Sequence, residues 1–192
     1  MLIDELRQAL GEDAVLEGAA LEGRHTADWS TAPAAPPRAL LLPRTPQQVA
    51  QALAICNRHG QPIAVQGGLT VLAGGANPHE GEFALSLARL NRIEDIDPLG
   101  GTAIVQAGVT LEQLQQAAKE AGWFFPLDLG ARGSCQVGGN TATNAGGNRV
   151  LRYGMMRQAV LGLEVALPDG TLLTMLDRVL KNNAGFDLKH LF

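Results

Sequence analysis

The sequence predicts an α+β fold with two lobes, a small βαβ lobe followed by a mixed α+β lobe. Two observations support this prediction. Between residues 39 and 65 an apolar run, an amphipathic segment and a second apolar run alternate, as in a strand–helix–strand unit. Beyond residue 90 the sequence pattern predicts a strand, a helix and a hairpin instead. The composition is that of a globular protein, because 46% of the 192 residues are hydrophobic and 18% are charged.

An N-terminal helical segment is predicted at residues 1–30. Leu2, Leu6 and Leu10 recur at every fourth position, which indicates one apolar face of a helix. The proline-rich run at residues 31–37 fits neither helix nor sheet, so we expect an extended surface segment there.

The first lobe is predicted to span residues 31–90. Residues 39–42 are apolar and form the first buried strand, and residues 63–65 begin the second. Between them Thr45 is the expected N-cap of a helix, with Pro46 at its first position, Gln48 at the capping-box position and Gly60 at its end. Because a helix connects the two strands, we expect them to be parallel.

The second lobe is predicted to span residues 91–192. Residues 102–105 read as a strand, and Thr110 with Gln113 forms a capping box for a helix over residues 111–121. Two apolar runs flank Pro168-Asp169-Gly170, which is typical of a hairpin.

Charge and composition exclude several kinds of partner. The net charge is −4 and aromatic residues make up 4% of the chain, so neither a phosphate-binding basic face nor a base-stacking surface is indicated. No nucleic-acid partner is expected. The two cysteines, Cys56 and Cys135, form no Cys-x-x-Cys motif, and a disulfide framework is not expected. This favours a location in the reducing cytoplasm. The four histidines show no metal-ligand spacing, and no metal site is predicted.

The first candidate site is a glycine-rich loop directly after the second predicted strand. Residues 66–75 read Gln-Gly-Gly-Leu-Thr-Val-Leu-Ala-Gly-Gly. Glycine pairs at both ends allow consecutive backbone N–H groups to surround phosphate oxygens, and the Thr70 hydroxyl can add a donor. The loop is neither a Walker loop nor a Gly-x-Gly-x-x-Gly motif, so the nicotinamide fingerprint is absent. A plain glycine-rich surface loop is the alternative.

The second candidate site is the longer stretch at residues 126–148. Two Gly-Gly pairs enclose small polar residues, and loops of this length without a core are usually functional. Asn140, Thr143 and Asn144 carry amide and hydroxyl groups suited to ribose, ribityl or flavin edges. A disordered linker is the alternative.

Together these loops resemble the FAD-binding domain of vanillyl-alcohol-oxidase-type flavoproteins. The segments Gly-Ser-Cys-Gln-Val-Gly-Gly-Asn at 133–140 and Ala-Thr-Asn-Ala-Gly-Gly at 142–147 are most similar to the D-2-hydroxy-acid dehydrogenases. That group includes D-lactate dehydrogenase, glycolate oxidase and D-2-hydroxyglutarate dehydrogenase. The segments Leu-Arg-Tyr-Gly at 151–154 and Leu-Pro-Asp-Gly at 167–170 resemble the same group.

The resemblance implies a two-lobed FAD-binding domain with FAD stretched between the lobes. The pyrophosphate is expected at the first loop, on Gly67, Gly68, Leu69, Thr70, Gly74 and Gly75. The flavin side is expected at the second, on Pro126, Leu127, Ser134, Gly138, Gly139, Asn140, Thr143, Asn144 and Gly147. The loop departs from the family's common Arg-Gly-Gly-Gly-Thr form at Gln66 and Leu69. Family members with covalent flavin often carry histidine at the latter position, and leucine has no nucleophile, so we expect non-covalent FAD.

The resemblance also implies oxidation of a small D-2-hydroxy acid, with hydride transfer to flavin N5 and electrons passed to an external acceptor. The family's catalytic residues lie in a later domain, so no catalytic residue is assigned. We expect the second lobe to be incomplete and the substrate domain to be absent, with weak flavin retention and self-association. The expected location is cytoplasmic, or peripheral at the inner membrane through the acceptor. The alternative is a stand-alone FAD-binding module or subunit without activity of its own.

Overall fold

The computed structural model describes residues 1–21 and 23–192 and shows a mixed α+β fold. Short 3-10 turns connect some of the regular elements. The helices are α1 (Leu2–Leu10), α2 (Pro46–Arg58), α3 (Leu111–Glu120), α4 (Val137–Ala142), α5 (Val150–Tyr153) and α6 (Met156–Ala159). The strands are β1 (Val15–Leu16), β2 (Ala39–Leu41), β3 (Ile63–Gln66), β4 (Phe83–Ser86), β5 (Ile93–Asp97), β6 (Thr102–Val105), β7 (Leu163–Ala166) and β8 (Leu172–Met175).

The first lobe contains a four-stranded sheet in the order β1-β2-β4-β3. Strand β1 comes from residues 1–30, where we predicted only a helical segment; helix α1 ends at Leu10, and Val15 and Leu16 pair with β2. Strands β2 and β3 are parallel, as predicted, but they do not pair with each other because β4 lies between them. Strand β4 is buried along its whole length, and we did not predict it from the sequence. Its four residues, Phe-Ala-Leu-Ser, are too few to show a period.

The two longer helices of the lobes begin and end as their cap residues predict. The Thr45 side chain accepts from the Gln48 N–H at the start of α2, whereas the Gln48 side chain accepts from Arg44 and not from the cap itself. Of these two helices, only α3 has the complete reciprocal capping box, formed by Thr110 and Gln113. Gly60 and Gly122 follow the two helices with φ of 63° and 82°, a conformation that glycine adopts without strain.

Each lobe has its own hydrophobic core. In the first, Leu6 and Leu10 of α1 pack with the sheet and with Cys56 of α2, as the apolar spacing predicts. Burial raises the pKa of the Cys56 thiol to about 11, so this cysteine is a protonated core residue at neutral pH. In the second, Val109, Leu111 and Leu114 pack against the glycine-rich stretch that follows α3.

The second lobe consists of two separate two-stranded sheets, β5-β6 and β7-β8, both antiparallel. The β7-β8 hairpin forms around Pro168-Asp169-Gly170, as predicted. Its turn packs on α2 of the first lobe, where a Cβ at Gly170 would lie 2.7 Å from that of Ala54. Among the described residues no third strand extends either sheet. No described helix has the length and apolar character needed to cross a bilayer.

A close backbone contact at Gly108 holds the segment after β6 against the segment after β4. The Gly108 N–H donates to the Leu90 carbonyl over 2.7 Å. A Cβ at this position would lie 2.1 Å from the Leu87 carbonyl oxygen, which is far inside van der Waals contact. The segment after β6 can therefore approach the end of β4 only if residue 108 has no side chain.

This contact predicts a large loss of stability in Gly108→Ala. We expect the free energy of unfolding to fall by about 1–3 kcal/mol, as for other overpacked sites, when measured by chemical denaturation. Gly185→Ala is the matched control, because a Cβ there meets nothing within 4 Å. Equal stability of Gly108→Ala and the parent chain would contradict the close approach.

A second prediction concerns acid and the ion pairs that join α1 to the end of α2. The Glu5 carboxylate pairs with Arg58 and with His59, and these partners, His59 first, hold the pKa of Glu5 below its ordinary value of 4.5. A group with a lowered folded pKa stabilises the fold above its unfolded pKa, and this stabilisation is lost as the pH falls through the folded pKa. We expect Glu5→Gln to flatten the decline of stability below about pH 5.

Urea denaturation at a series of pH values between about 5 and 3 measures this effect. Glu80→Gln, at an exposed glutamate outside α1 and α2, should leave the decline unchanged. An identical pH profile for Glu5→Gln and the parent chain would show that the ion pairs do not stabilise the docking of α1.

Candidate functional site

The first glycine loop follows β3 and has an unusually open backbone. Among the described residues, the N–H groups from Gly67 through Ala73 donate to no protein acceptor. Leu69 lies in the left-handed region, with φ of 57°, which turns the chain sharply inside the loop. A run of unused N–H groups on a turning backbone is the arrangement that binds phosphate oxygens.

Gln66 anchors this loop from the protein interior. Its side chain is fully buried, and its Nε2 atom donates to the carbonyls of His25 and Ala76. Its Oε1 atom lies 2.9 Å from Nδ1 of His25, which must therefore carry the proton. The side chain at position 66 faces the protein interior, so glutamine there joins the two ends of the loop. A cation at this position would have to be buried in the same place.

The segment before the first lobe supports the far end of the loop. Asn77 accepts from the Asp28 N–H through Oδ1 and donates to the Ala32 carbonyl through Nδ2. Burial raises the pKa of Asp28, but hydrogen bonds from Ser30 and from the backbone at Ala76 and Gly74 outweigh it and hold the pKa below its ordinary value. The carboxylate is thus ionised at neutral pH, and its Oδ1 atom accepts from the Ser30 N–H over 2.8 Å. The backbone N–H groups of residues 67–73 remain available to a ligand.

The second glycine-rich stretch is a folded segment and not an open loop. Its centre forms helix α4, which includes Gly138 and Gly139, although we expected no helix there. The N–H groups of Val137 and Gly138 donate to the carbonyls of Val109 and Ala107, each over 2.8 Å. These bonds fix the stretch along the N-terminal side of α3, so the disordered-linker alternative is wrong.

The two loops meet at their glycines. A Cβ at Gly68 would lie 2.0 Å from the Ser134 carbonyl oxygen and 3.0 Å from the Cα atom of Cys135. A Cβ at Gly67 would lie 3.5 Å from Oε1 of Gln136 and 3.9 Å from the Cα atom of Gly139. The structure therefore brings Gly67, Gly68, Ser134 and Gly139 together, as expected for one ligand held by both loops.

The polar side chains of the second stretch bind mostly to the protein itself. Asn140 is buried and its Nδ2 atom lies 3.6 Å from Sγ of Cys135. Asn144 has φ of 48° and accepts from the Arg157 N–H, so it connects α4 to α6. The Thr143 hydroxyl donates to the Gly139 carbonyl, and its side chain is exposed.

The other predicted site residues have surroundings of their own. Leu127 belongs to the second core, and its carbonyl accepts from the Gln115 amide over 2.6 Å. Gly147 packs on Asp128, whose carbonyl oxygen would be 2.1 Å from a Cβ there. Pro126 precedes these residues and is half-buried, as is Thr70 in the first loop. Of the second glycine pair, Gly74 would clash with Ala32 if it carried a Cβ, whereas Gly75 faces open space.

The charges near the second stretch form one ion-pair cluster around a buried carboxylate. The Asp128 carboxylate is 7% exposed and lies between Arg132, 3.1 Å away, and Arg149, 3.3 Å away. The approach of Arg132 to Oδ1 is an ion pair without hydrogen-bond geometry, because that oxygen has no hydrogen-bond partner among the described residues. Arg149 also stacks on the Phe124 ring at 5.0 Å. This cluster therefore has a structural role.

No nucleophile or metal ligand set accompanies the two loops. Burial raises the pKa of Cys135, which the Asn140 amide offsets only in part, so the thiol is protonated at neutral pH. In residues 1–21 and 23–192 no three His, Cys, Asp or Glu side chains converge as a metal site would require. The two loops instead provide backbone groups that can form hydrogen bonds with a ligand, and open space for it.

One cavity among the described residues lies away from the two loops. It measures about 500 Å³ and is an open groove beside α3, lined by residues that include Ile93, Glu112 and Glu120. Two carboxylates disfavour an anionic dinucleotide there. The junction of the loops is therefore the better candidate for such a ligand.

Three observations at the junction fit a flavin dinucleotide. The unused N–H groups after β3 suit a pyrophosphate. The space beside Gly75 and Gly139 is open, since a Cβ there would meet nothing within 4 Å. Finally, Oε1 of Gln136 is buried without a hydrogen-bond partner among the described residues. We did not predict Gln136 as a site residue, and its place between two glycine motifs was the only signal in the sequence.

Comparisons with known proteins agree with this geometry. Residues 37–176 match the FAD binding domain family. The mitochondrial D-2-hydroxyglutarate dehydrogenase of Bos taurus is 48% identical over 165 residues, which are 86% of this chain and 30% of that protein. The D-2-hydroxyglutarate dehydrogenase of Xanthomonas citri is 43% identical over 164 residues, 85% of this chain and 35% of that protein. The chain spans about a third of the length of these relatives.

Solved structures confirm the fold. Alkyldihydroxyacetonephosphate synthase superposes with a TM-score of 0.85 at 21% identity, covering 99% of this chain and 36% of that one. p-Cresol methylhydroxylase superposes with a TM-score of 0.76 at 27% identity, covering 90% of this chain and 34% of that one. The predicted α+β flavoprotein fold is thus confirmed, and the chain belongs to the FAD binding domain family.

Proposed function

We propose that this chain binds FAD across the junction of its two lobes and serves as the cofactor-binding part of a dehydrogenase that oxidises a D-2-hydroxy acid. The observation on which the proposal rests is the contact of Gly67 and Gly68 with the segment from Ser134 to Gly139. This contact supports the proposal because the unused N–H groups of the first loop then lie beside the second stretch. The relatives named as D-2-hydroxyglutarate dehydrogenases support the substrate class.

In this proposal each loop has a separate task. The first loop would hold the pyrophosphate through backbone N–H groups, with the predicted residues Gly67, Gly68, Leu69, Thr70, Gly74 and Gly75 around it. The second would hold the flavin side, surrounded by Pro126, Leu127, Ser134, Gly138, Gly139, Asn140, Thr143, Asn144 and Gly147. FAD, when bound, supplies the redox chemistry by accepting a hydride at the flavin ring.

In this proposal the chain's own residues position the cofactor. Leu69 offers no nucleophile, so attachment through this loop is non-covalent. Gln66 and Asn77 fix the two ends of the first loop, which keeps its N–H groups oriented before the ligand arrives. The residues that would take the substrate proton and bind its carboxylate are not assigned to this chain.

Several finer expectations stay proposals. The hydroxy acid, the external electron acceptor and self-association belong to the protein's activity as a whole, of which this chain supplies the FAD-binding part. A glycolate oxidase and a cytoplasmic location also stay predictions, and the bovine relative is named as a mitochondrial protein.

Titration with FAD tests the proposal. We expect one FAD to bind per chain in calorimetry, with thermal stabilisation of the folded protein. Gly68→Ala should weaken binding by about tenfold or more, because a Cβ would push the first loop away from the Ser134 carbonyl. Gly185→Ala, which fills open space, should bind as the parent chain does.

The far-ultraviolet circular dichroism of each variant shows whether it is folded. Folded parent protein that gives neither heat nor thermal stabilisation with FAD would overturn the proposal. Equal affinity in a folded Gly68→Ala would move the site away from the junction of the loops.

A further inference from the structure

The side-chain carbonyl oxygen of Gln136 lacks a partner in a place where polar atoms normally have one. The residue is 8% exposed, and Oε1 accepts no hydrogen bond from the described residues. A buried acceptor without a donor destabilises a fold, so such atoms are rare unless a ligand satisfies them. The orphaned oxygen therefore indicates a donor from outside the chain.

The backbone around Gln136 fixes the direction of this side chain. Gln136 is the N-cap residue of α4, yet its side chain does not cap the helix. It forms an isolated bridge with Thr110, and the Asn140 N–H donates to its carbonyl over 2.9 Å. The side chain crosses to the first loop, so that Oε1 lies 3.5 Å from the position of a Cβ at Gly67. It thus stands at the junction of the two loops.

The chemistry of an amide oxygen restricts the group that it can meet. Oε1 only accepts hydrogen bonds, and phosphate oxygens are acceptors too, so the pyrophosphate is not its partner. The partner must carry an O–H or N–H group. In FAD the ribityl chain joins the pyrophosphate to the flavin ring, and its hydroxyl groups are donors. A residue between a pyrophosphate loop and a flavin loop faces that chain.

We propose that Oε1 of Gln136 accepts a hydrogen bond from a ribityl hydroxyl of FAD, which makes Gln136 a cofactor-positioning residue. The inference rests on the proposed function, because it assumes that the two loops hold the two ends of FAD. It goes further by naming the residue that recognises the middle of the cofactor.

Gln136→Met tests the inference, since methionine has a similar length and lacks the amide oxygen. Without ligand, the variant should unfold at the same temperature as the parent or at a higher one, because an unpaired buried acceptor has been removed. The Kd for FAD, measured by calorimetry, should rise about 3- to 10-fold through loss of one hydrogen bond. The Kd for ADP, which lacks the ribityl chain, should be unchanged.

Gln106→Met is the matched control, because Gln106 is equally buried but satisfied by the protein. Its Oε1 atom accepts from the Arg92 N–H, and its Nε2 atom donates to Glu94. We expect this variant to unfold at a lower temperature than the parent and, while folded, to bind FAD with the parent's affinity.

Different results overturn different statements. Parent protein that binds no FAD overturns the proposed function and this inference with it. If the parent binds FAD and Gln136→Met binds it equally well, only the inference is wrong. Lower stability of ligand-free Gln136→Met would show that Oε1 has a protein partner, and an equal loss of ADP affinity would exclude the ribityl chain. Either result overturns the assignment.

Discussion

The close approach of the Gly68 backbone to the Ser134 carbonyl is the constraint on which the candidate site depends. A side chain at position 68 would lie within 2.0 Å of that oxygen, so only glycine lets the two lobes meet here. The same kind of constraint recurs where the segment after β6 passes the end of β4 at Gly108. The junction between the lobes is therefore built from main chain, and its shape follows from where side chains are missing.

This junction brings together two glycine-rich segments with opposite properties. Within the described residues, the first keeps its N–H groups from Gly67 through Ala73 free of protein acceptors, while Gln66 and Asn77 hold its ends in place. The second satisfies most of its polar groups internally and gives rigid walls. A site with donors already oriented loses little freedom when a ligand binds, which favours affinity without any catalytic side chain. This difference between the two segments suits a domain that binds a cofactor and to which no catalytic residue is assigned.

Much of the local structure could be predicted because its signals lie within a few residues of each other. The capping box of Thr110 and Gln113 and the hairpin at residues 168–170 are both present where the sequence indicates them. The two glycine-rich loops and their resemblance to a flavoprotein family were equally visible. Strand β4 and helix α4 were missed, since one is too short to show a period and the other contains a glycine pair that its own sequence disfavours in a helix.

The sequence by itself determined the alternation of elements, the cap residues and the kind of ligand that two glycine-rich loops can hold. Only the tertiary structure decided which polar groups remain for that ligand. Asn140 and Asn144 have protein partners, whereas Gln136, which the sequence marks only by its place between two glycine motifs, keeps an unpaired oxygen. The physical reason is that hydrogen-bond partners are chosen by distance in space. His25 and Gln66 meet across 41 positions of the chain, and no local pattern encodes such a pair.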